Sequence, residues 1–268
     1  MNEFFSFRDE SIYCHHSRDV APNPAAFPIH AHETPEVFFF ISGKGSFLVE
    51  GTRYALSPGD ILLMRPAETH KLLISPEVPY ERVAIHFSAE LFDSLDGERR
   101  LTRPFFDRPL GQRNRYPASE NPSLGRALAD LSLTPGMERL QIISCLLEVL
   151  AKLAVIWERE KGPLEPEGGF SMRLVSHVNA HLFEEISLES VSEAFEKSVS
   201  QVGRCFRKAT GTSLWEYVLL KRLLAARARI ARGDAASDAS VACGFNDYSA
   251  FYRAYKKRFG HAPSADRS

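Results

Sequence analysis

Short apolar runs separated by turn residues fill the stretch from Ile29 to Phe87: Val37 to Ile41, Phe47 to Val49, Ile61 to Met64, Leu72 to Ile74 and Val83 to Phe87. Ser42-Gly43-Lys44-Gly45, Glu50-Gly51 and Ser57-Pro58-Gly59-Asp60 punctuate them. Many short runs bounded by turn chemistry predict an antiparallel sandwich or barrel. From Ser88 to Pro117 the pattern fades, and Arg99, Arg100, Arg103, Arg108, Arg113 and Arg115 predict a polar, irregular stretch. The period then becomes helical. Leu124, Leu128 and Leu131, followed beyond Pro135-Gly136 by a face of Leu140, Ile143, Leu147, Leu150, Ala154 and Trp157, predict two helices in a hairpin. The Pro/Gly-rich segment from Lys161 to Gly169 is of the kind that joins domains, and everything after it reads as helical.

The helical part contains a repeat. Arg204-x-Phe206-Arg207-Lys208-x-x-Gly211 returns as Arg253-x-Tyr255-Lys256-Lys257-x-x-Gly260, an offset of 49 residues that also carries Ser198 onto Asp247 and Val202 onto Phe251. Each copy predicts a helix of about three turns with an N-cap, an apolar inner face, a basic outer face and a glycine C-cap. A shorter helix precedes each copy, Leu188 to Phe195 and Ala236 to Cys243, giving two helix-turn-helix units. Ser213 to Ala231 has no Gly or Pro and predicts a connecting helix about 28 Å long, near the roughly 34 Å of one DNA turn.

Charge agrees with this division. Phe170 to Ser268 holds 15 Lys and Arg against 10 Asp and Glu, whereas the preceding residues hold 18 against 24. A basic segment suits a polyanion and an acidic one does not. The cysteines Cys14, Cys145, Cys205 and Cys243 have no metal-finger spacing and fit a reducing compartment. Met1 to Glu10 lacks the apolar core of a signal peptide, and no window is expected to approach a membrane span, so a cytoplasmic protein without membrane contact is expected.

The C-terminal residues resemble the AraC/XylS family of bacterial regulators. The resemblance covers about Met172 to Ala265 and is carried by Ile186-Ser-Leu-Glu189, the Ser198 to Gly211 helix, Tyr217 with Lys221-Arg222-Leu223 and Ala226, Cys243-Gly-Phe-Asn-Asp-Tyr-Ser249-Ala-Phe251, and Phe259-Gly-His-Ala-Pro263. It implies a DNA-contacting set of Ser198, Ser200, Gln201, Arg204, Arg207, Lys208, Asn246, Tyr248, Ser249, Arg253, Lys256 and Lys257. Within that set Arg204 and Arg253 are expected at guanine edges, and Arg207, Lys208, Lys256 and Lys257 at phosphates. Ala236 and Ala239 stand where the family has large apolar residues, and Ser192 and Ser240 where it has alanine, which predicts looser packing of the second unit.

His30-Ala-His32, Glu36, Gly43, Gly59-Asp60, Pro66 and His70 resemble the two motifs of the cupin barrel, over about Phe27 to Phe87. His30, His32 and Glu36 share even parity with Phe38 and Phe40, so an extended chain would face them one way. With His70 they match the three-histidine, one-carboxylate set that holds a divalent metal in cupin enzymes. The other use of such residues is direct contact with a small ligand; His30, His32, Glu36, Phe38, Phe40, His70, Arg82 and His86 are the effector-binding candidates.

The resulting expectation is an α+β multidomain protein: residues 1–118 a cupin-like effector barrel, 119–161 a helical hairpin that dimerises, 162–169 a linker, and 170–268 an all-α tandem helix-turn-helix domain with a linker helix. The expected function is a sequence-specific, effector-responsive transcription regulator, most naturally an activator, with no catalytic residues. A cupin metalloenzyme with a helical appendage is the alternative. Expected partners are double-stranded DNA, a small effector such as a sugar or aromatic acid, a second copy of the chain, and RNA polymerase. No cofactor is required, and a divalent metal at His30, His32, Glu36 and His70 is the one candidate.

Overall fold

The structure, a computed structural model, describes residues 2–160 and 169–267. The chain divides into two compact units, Met1–Glu167 and Gly168–Ser268. The expected linker, apart from Gly169, lies outside the described residues.

The first unit contains β1 (Asn2–Arg8), β2 (Ile12–Asp19), β3 (Glu36–Ser42), β4 (Gly45–Val49), β5 (Thr52–Ala55), β6 (Ile61–Met64), β7 (His70–Ile74), β8 (Tyr80–Phe87) and β9 (Arg115–Tyr116). Three helices accompany them, α1 (Arg103–Phe106), α2 (Arg126–Ala129) and α3 (Glu138–Arg159). The strands form one sheet in the order β1-β2-β8-β3-β6-β9 and a second in the order β5-β4-β7. Alternation along each strand sorts the side chains between two cores. Val37, Phe39, Ile61, Leu63, Val83 and Ile85 pack outward against Ile142, Leu146, Val149 and Leu153 of α3. Phe38, Phe40, Leu62, Met64 and Ala84 turn inward to meet Phe47, Val49, Leu72 and Ile74 of the second sheet. The space between the sheets is the barrel interior.

Several expectations are corrected. Strands begin at Asn2, well before Ile29, and β2 pairs with β8 along its whole length. The arginine-rich stretch is irregular as expected, apart from one helical turn and a two-residue strand, but it is not simply polar: Phe105 and Arg108 are buried, and Arg108 donates to both carboxylate oxygens of Glu68 at 2.7 Å and to the Leu63 carbonyl at 3.0 Å. An arginine reads as solvated until its partner, here distant in sequence, is brought to it.

The helical hairpin is reduced to α3 plus the single turn α2, because the bonds Ala129 N–H to Gly125 O and Asp130 N–H to Arg126 O close only one turn before Pro135-Gly136. On α3 the buried face runs through Ile142, Cys145, Leu146, Val149, Leu150, Leu153 and Trp157, leaving Leu140 exposed; the helix has more apolar residues than one stripe needs, and the curved sheet selects among them. Contrary to expectation, α3 is long and apolar enough to cross a membrane by length and composition, although one side of it is packed on the sheet.

The second unit is helical: α4 (Phe170–Ala180), α5 (Leu188–Ala194), α6 (Val199–Thr210), α7 (Leu214–Ala231), α8 (Ala236–Ala242) and α9 (Tyr248–Phe259). Ser198 caps α6 by accepting from the Gln201 N–H, and Asp247 caps α9 by accepting from the Ser249 N–H. Both helices end on a left-handed glycine, Gly211 (φ 78°) and Gly260 (φ 83°). The looser packing expected of the second repeat is not found. Ala239, Cys243, Phe251 and Tyr255 are buried in one cluster with Leu223, Ala226 and Ile230 of α7. Ser192 and Ser240 avoid a cost by donating to the carbonyls of Glu189 and Ser237 three residues earlier. Arg222, buried within α7, donates to the carbonyls of Leu182, Glu184 and Gly244 and ties the turn after α4 and the turn after α8 to the connecting helix.

Candidate functional site

In the helical unit, α6 buries Val202 and Phe206 and exposes Ser200, Gln201, Arg204, Arg207 and Lys208. In the same way α9 buries Phe251 and Tyr255 and exposes Tyr248, Ser249, Arg253, Lys256 and Lys257, with Asn246 exposed just ahead of it. One face of each helix is therefore committed to the core, and the opposite face is polar and basic. Arg204 Nη1 donates to Ser200 Oγ at 2.7 Å, one turn earlier, which holds the guanidinium near the N-terminal half of its helix. That half is the part of a recognition helix that reaches base edges, while the basic residues farther along suit phosphates. With 18 residues, α7 spans about 27 Å between the two repeats.

In the barrel, the histidines arrive by a route the strand pattern does not give. His30 and His32 precede β3, which starts only at Glu36, so they do not lie on a common strand with it. Reciprocal backbone bonds between His30 and His70 bring them in instead (3.0 and 2.8 Å), and Ala67 N–H donates to His32 O at 2.9 Å. The four motif residues do converge: the His30 and His70 rings lie 4.3 Å apart, and Glu36 Oε2 is 3.1 Å from His32 Nε2 and 3.6 Å from His70 Nε2. His86 joins them because β3 and β8 pair Glu36 with His86; its Nε2 is 4.0 Å from Glu36 Oε1, and its ring is 4.3 Å from that of His32. The same register pairs Phe40 with Arg82, whose guanidinium lies 5.2 Å from the Tyr80 ring centroid and 5.8 Å from that of Phe27.

The electrostatics of this interior follow from burial. Burial lowers His70 to about 3 and His86 to about 4, so both imidazoles are neutral at neutral pH. Burial acts to raise the Glu36 carboxyl, but His86, His32 and His70 together outweigh it and hold the group well below the usual carboxylate range. A buried carboxylate thus sits among imidazoles.

The two geometries agree with the comparisons to known proteins. A helix-turn-helix domain model matches residues 191–268, and an AraC-like ligand binding domain model matches residues 19–160, just over half of the chain. The chain belongs to the AraC family. It is a DNA-binding transcription regulator whose first unit is an AraC-like ligand-binding domain. Curated relatives include the HTH-type transcriptional activator RhaS of Citrobacter koseri, 23% identical over 252 residues that cover 89% of this chain and 87% of the relative. RhaS of Salmonella arizonae is 24% identical over 252 residues with the same coverage. Among solved structures, ToxT from Vibrio cholerae O395 aligns over 96% of this chain and 97% of its own, at 12% identity and a TM-score of 0.38. An AraC-type regulator from Chromobacterium violaceum aligns over 35% of this chain and 85% of its own, at 27% identity and a TM-score of 0.33.

This AraC-family chain carries barrel-lining residues that its sequence did not mark. The pairing of β2 with β8 sets Tyr13 opposite His86, His15 opposite Ala84 and Ser17 opposite Arg82, which turns all three inward. Tyr13 stacks on His86 at 5.6 Å, and burial followed by the Arg82 charge lowers His15 to about 4. The available signal was the alternation of Tyr13, His15 and Ser17 with buried Ile12 and Cys14, in a segment without an apolar run long enough to read as a strand.

Proposed function

We propose that this chain is a transcription activator that works as a homodimer and responds to a small polar effector, hydroxylated or acidic, bound inside the barrel. The observation that carries the reading is the polar interior. His15 Nδ1 and Ser17 Oγ are buried and have no hydrogen-bond partner among the described residues, and the Glu36 carboxylate and Arg82 face the same space. Leaving such groups unpaired costs about 1–3 kcal/mol each, a cost that a ligand bearing hydroxyl or carboxylate groups removes. Phe38, Phe40 and Tyr80 supply an apolar wall. A sugar or a small aromatic acid meets both requirements.

Activation, with RNA polymerase as the further partner, is supported by the naming of the RhaS relatives as activators. In this reading Arg204 and Arg253 read base edges, while Arg207, Lys208, Lys256 and Lys257 grip phosphates. The barrel binds its effector without transforming it, and the protein acts in the cytoplasm. Pairing of two copies would use the outer side of α3, where Leu140 and Val155 are exposed beside hollows of about 390 and 420 Å³. A thermal-shift screen of metabolites on the full chain, followed by DNA binding with and without each hit, tests the proposal. The expected hit raises the unfolding temperature, changes DNA affinity and loses its effect in Arg82→Met. Ligands that bind the barrel and leave DNA affinity unchanged would overturn it.

A further inference from the structure

The donor atoms of the barrel cluster point beyond an organic effector alone. His70 Nδ1 lies 2.9 Å from the Glu68 carbonyl oxygen. That oxygen can only accept, so Nδ1 carries the proton of the neutral ring and Nε2 is left as a lone pair. The Glu68 side chain is itself clamped by Arg108, which fixes the segment that orients His70. His70 Nε2 looks across 3.6 Å at Glu36 Oε2, a buried oxygen that also lies 3.1 Å from His32 Nε2. His30 is set similarly, with Nδ1 2.9 Å from the Pro28 carbonyl. A ring N–H given to a backbone carbonyl, with the other nitrogen aimed inward, is how metal-ligating histidines are held.

Two groups of side chains in this cluster bring their donor atoms within 4.8 Å of one another: His30, His32 and His70, and separately His32, Glu36 and His86. They share His32. Only the second contains a negative charge, and it includes His86 of β8, which lies outside the cupin-like motifs. We propose that the barrel holds a divalent first-row transition-metal ion at His32, Glu36 and His86, with His70 as the neighbouring donor. Two or three imidazoles with one carboxylate suit Mn, Fe, Co, Ni or Zn rather than Ca or Mg. The ion neutralises Glu36 and leaves Arg82, farther along β8, to the organic effector. The inference rests on the reading of the barrel as the effector domain and adds a cation to it.

The test uses tag-free full-length protein, stripped with chelator and titrated with Co²⁺. The expected result is visible d–d absorption saturating at one equivalent, together with a higher unfolding temperature. Glu36→Gln and His86→Ala should each weaken Co²⁺ binding by at least about 10-fold. His181→Ala, which removes one member of the half-buried His177/His181 pair at the end of α4 (rings 4.5 Å apart), should leave it unchanged. Absence of the bands in folded wild type, their loss in His181→Ala, or their loss in His30→Ala with retention in His86→Ala would each overturn the assignment. If a barrel variant fails to fold, X-ray absorption of the Zn²⁺-loaded wild type decides. A first shell with two or more imidazoles and no sulfur supports the site; sulfur or water oxygens alone contradict it. Mobility shifts on the same preparation separate the two readings, since DNA binding without Co²⁺ binding removes only the metal, and Co²⁺ binding without DNA binding removes only the regulator.

Discussion

Arg204 and Arg253 occupy equivalent exposed positions in the two repeats, yet each basic residue on these helices has a distinct expected effect. An arginine paired with guanine discriminates by about 1–3 kcal/mol, whereas a lysine on a phosphate contributes the same to every sequence. Arg204→Ala is therefore expected to bring cognate and scrambled DNA closer in affinity. Lys256→Ala should weaken both alike and reduce the salt slope by about 1, as read by fluorescence anisotropy over a range of salt. Equal loss on both DNAs for Arg204→Ala would remove that residue from base reading. A different residue sets a pH limit. Glu216 accepts from the Ser213 and Thr212 hydroxyls, both at 2.7 Å, and these bonds lower its carboxyl to about 2. The folded pKa lies below the unfolded one near 4.5, so the unfolded chain binds the proton more readily between them. The contribution is complete above about 4.5 and disappears as pH falls through about 2. Thermal unfolding of the helical unit across that window should show a slope that Glu216→Gln flattens.

At the scale of elements, the strongest ties are polar groups that the sequence scatters widely. Arg108 and Glu68, both fully buried, join the stretch after β8 to the turn before β7, and Asn114 Nδ2 donates to Glu68 Oε2 at 2.9 Å to complete the set. Breaking such a pair from one side leaves an uncompensated buried charge and costs about 3–5 kcal/mol. Arg108→Met should lower the unfolding free energy of the barrel unit by that amount, as read from urea denaturation, and a loss below about 1 kcal/mol would mean that the pair is solvated. The elements of the helical unit depend on a different device. Among the described residues Arg222 bonds no carboxylate and instead satisfies three backbone carbonyls, so it acts as a bracket between the turns after α4 and α8.

For the whole molecule, function requires binding in one compact unit to change binding in the other. Effects of this kind are usually 5–150-fold in affinity, and they are reciprocal, so DNA must tighten or loosen the effector by the same factor. If α3 pairs two copies, Leu140→Glu combined with Val155→Glu should convert a dimer into a monomer by light scattering and weaken binding to a two-half-site DNA far more than to a single half-site. A wild-type monomer at micromolar concentration would overturn the pairing.

How much of this was legible in sequence differs between the units, and the reason is range. The helical unit repeats at short range, so Ser198 and Asp247 as caps, Gly211 and Gly260 as ends, and Phe206 and Tyr255 as core were fixed by local spacing. The inward parity of Glu36, Phe38 and Phe40 was fixed in the same way by the two-residue period of a strand. Tertiary structure alone decided that His15 joins the histidines, that His86 sits directly opposite Glu36, that Arg108 is buried, and which face of α3 is covered. Each of these depends on strand register or on a partner tens of residues away, and no local pattern of polar and apolar positions encodes that.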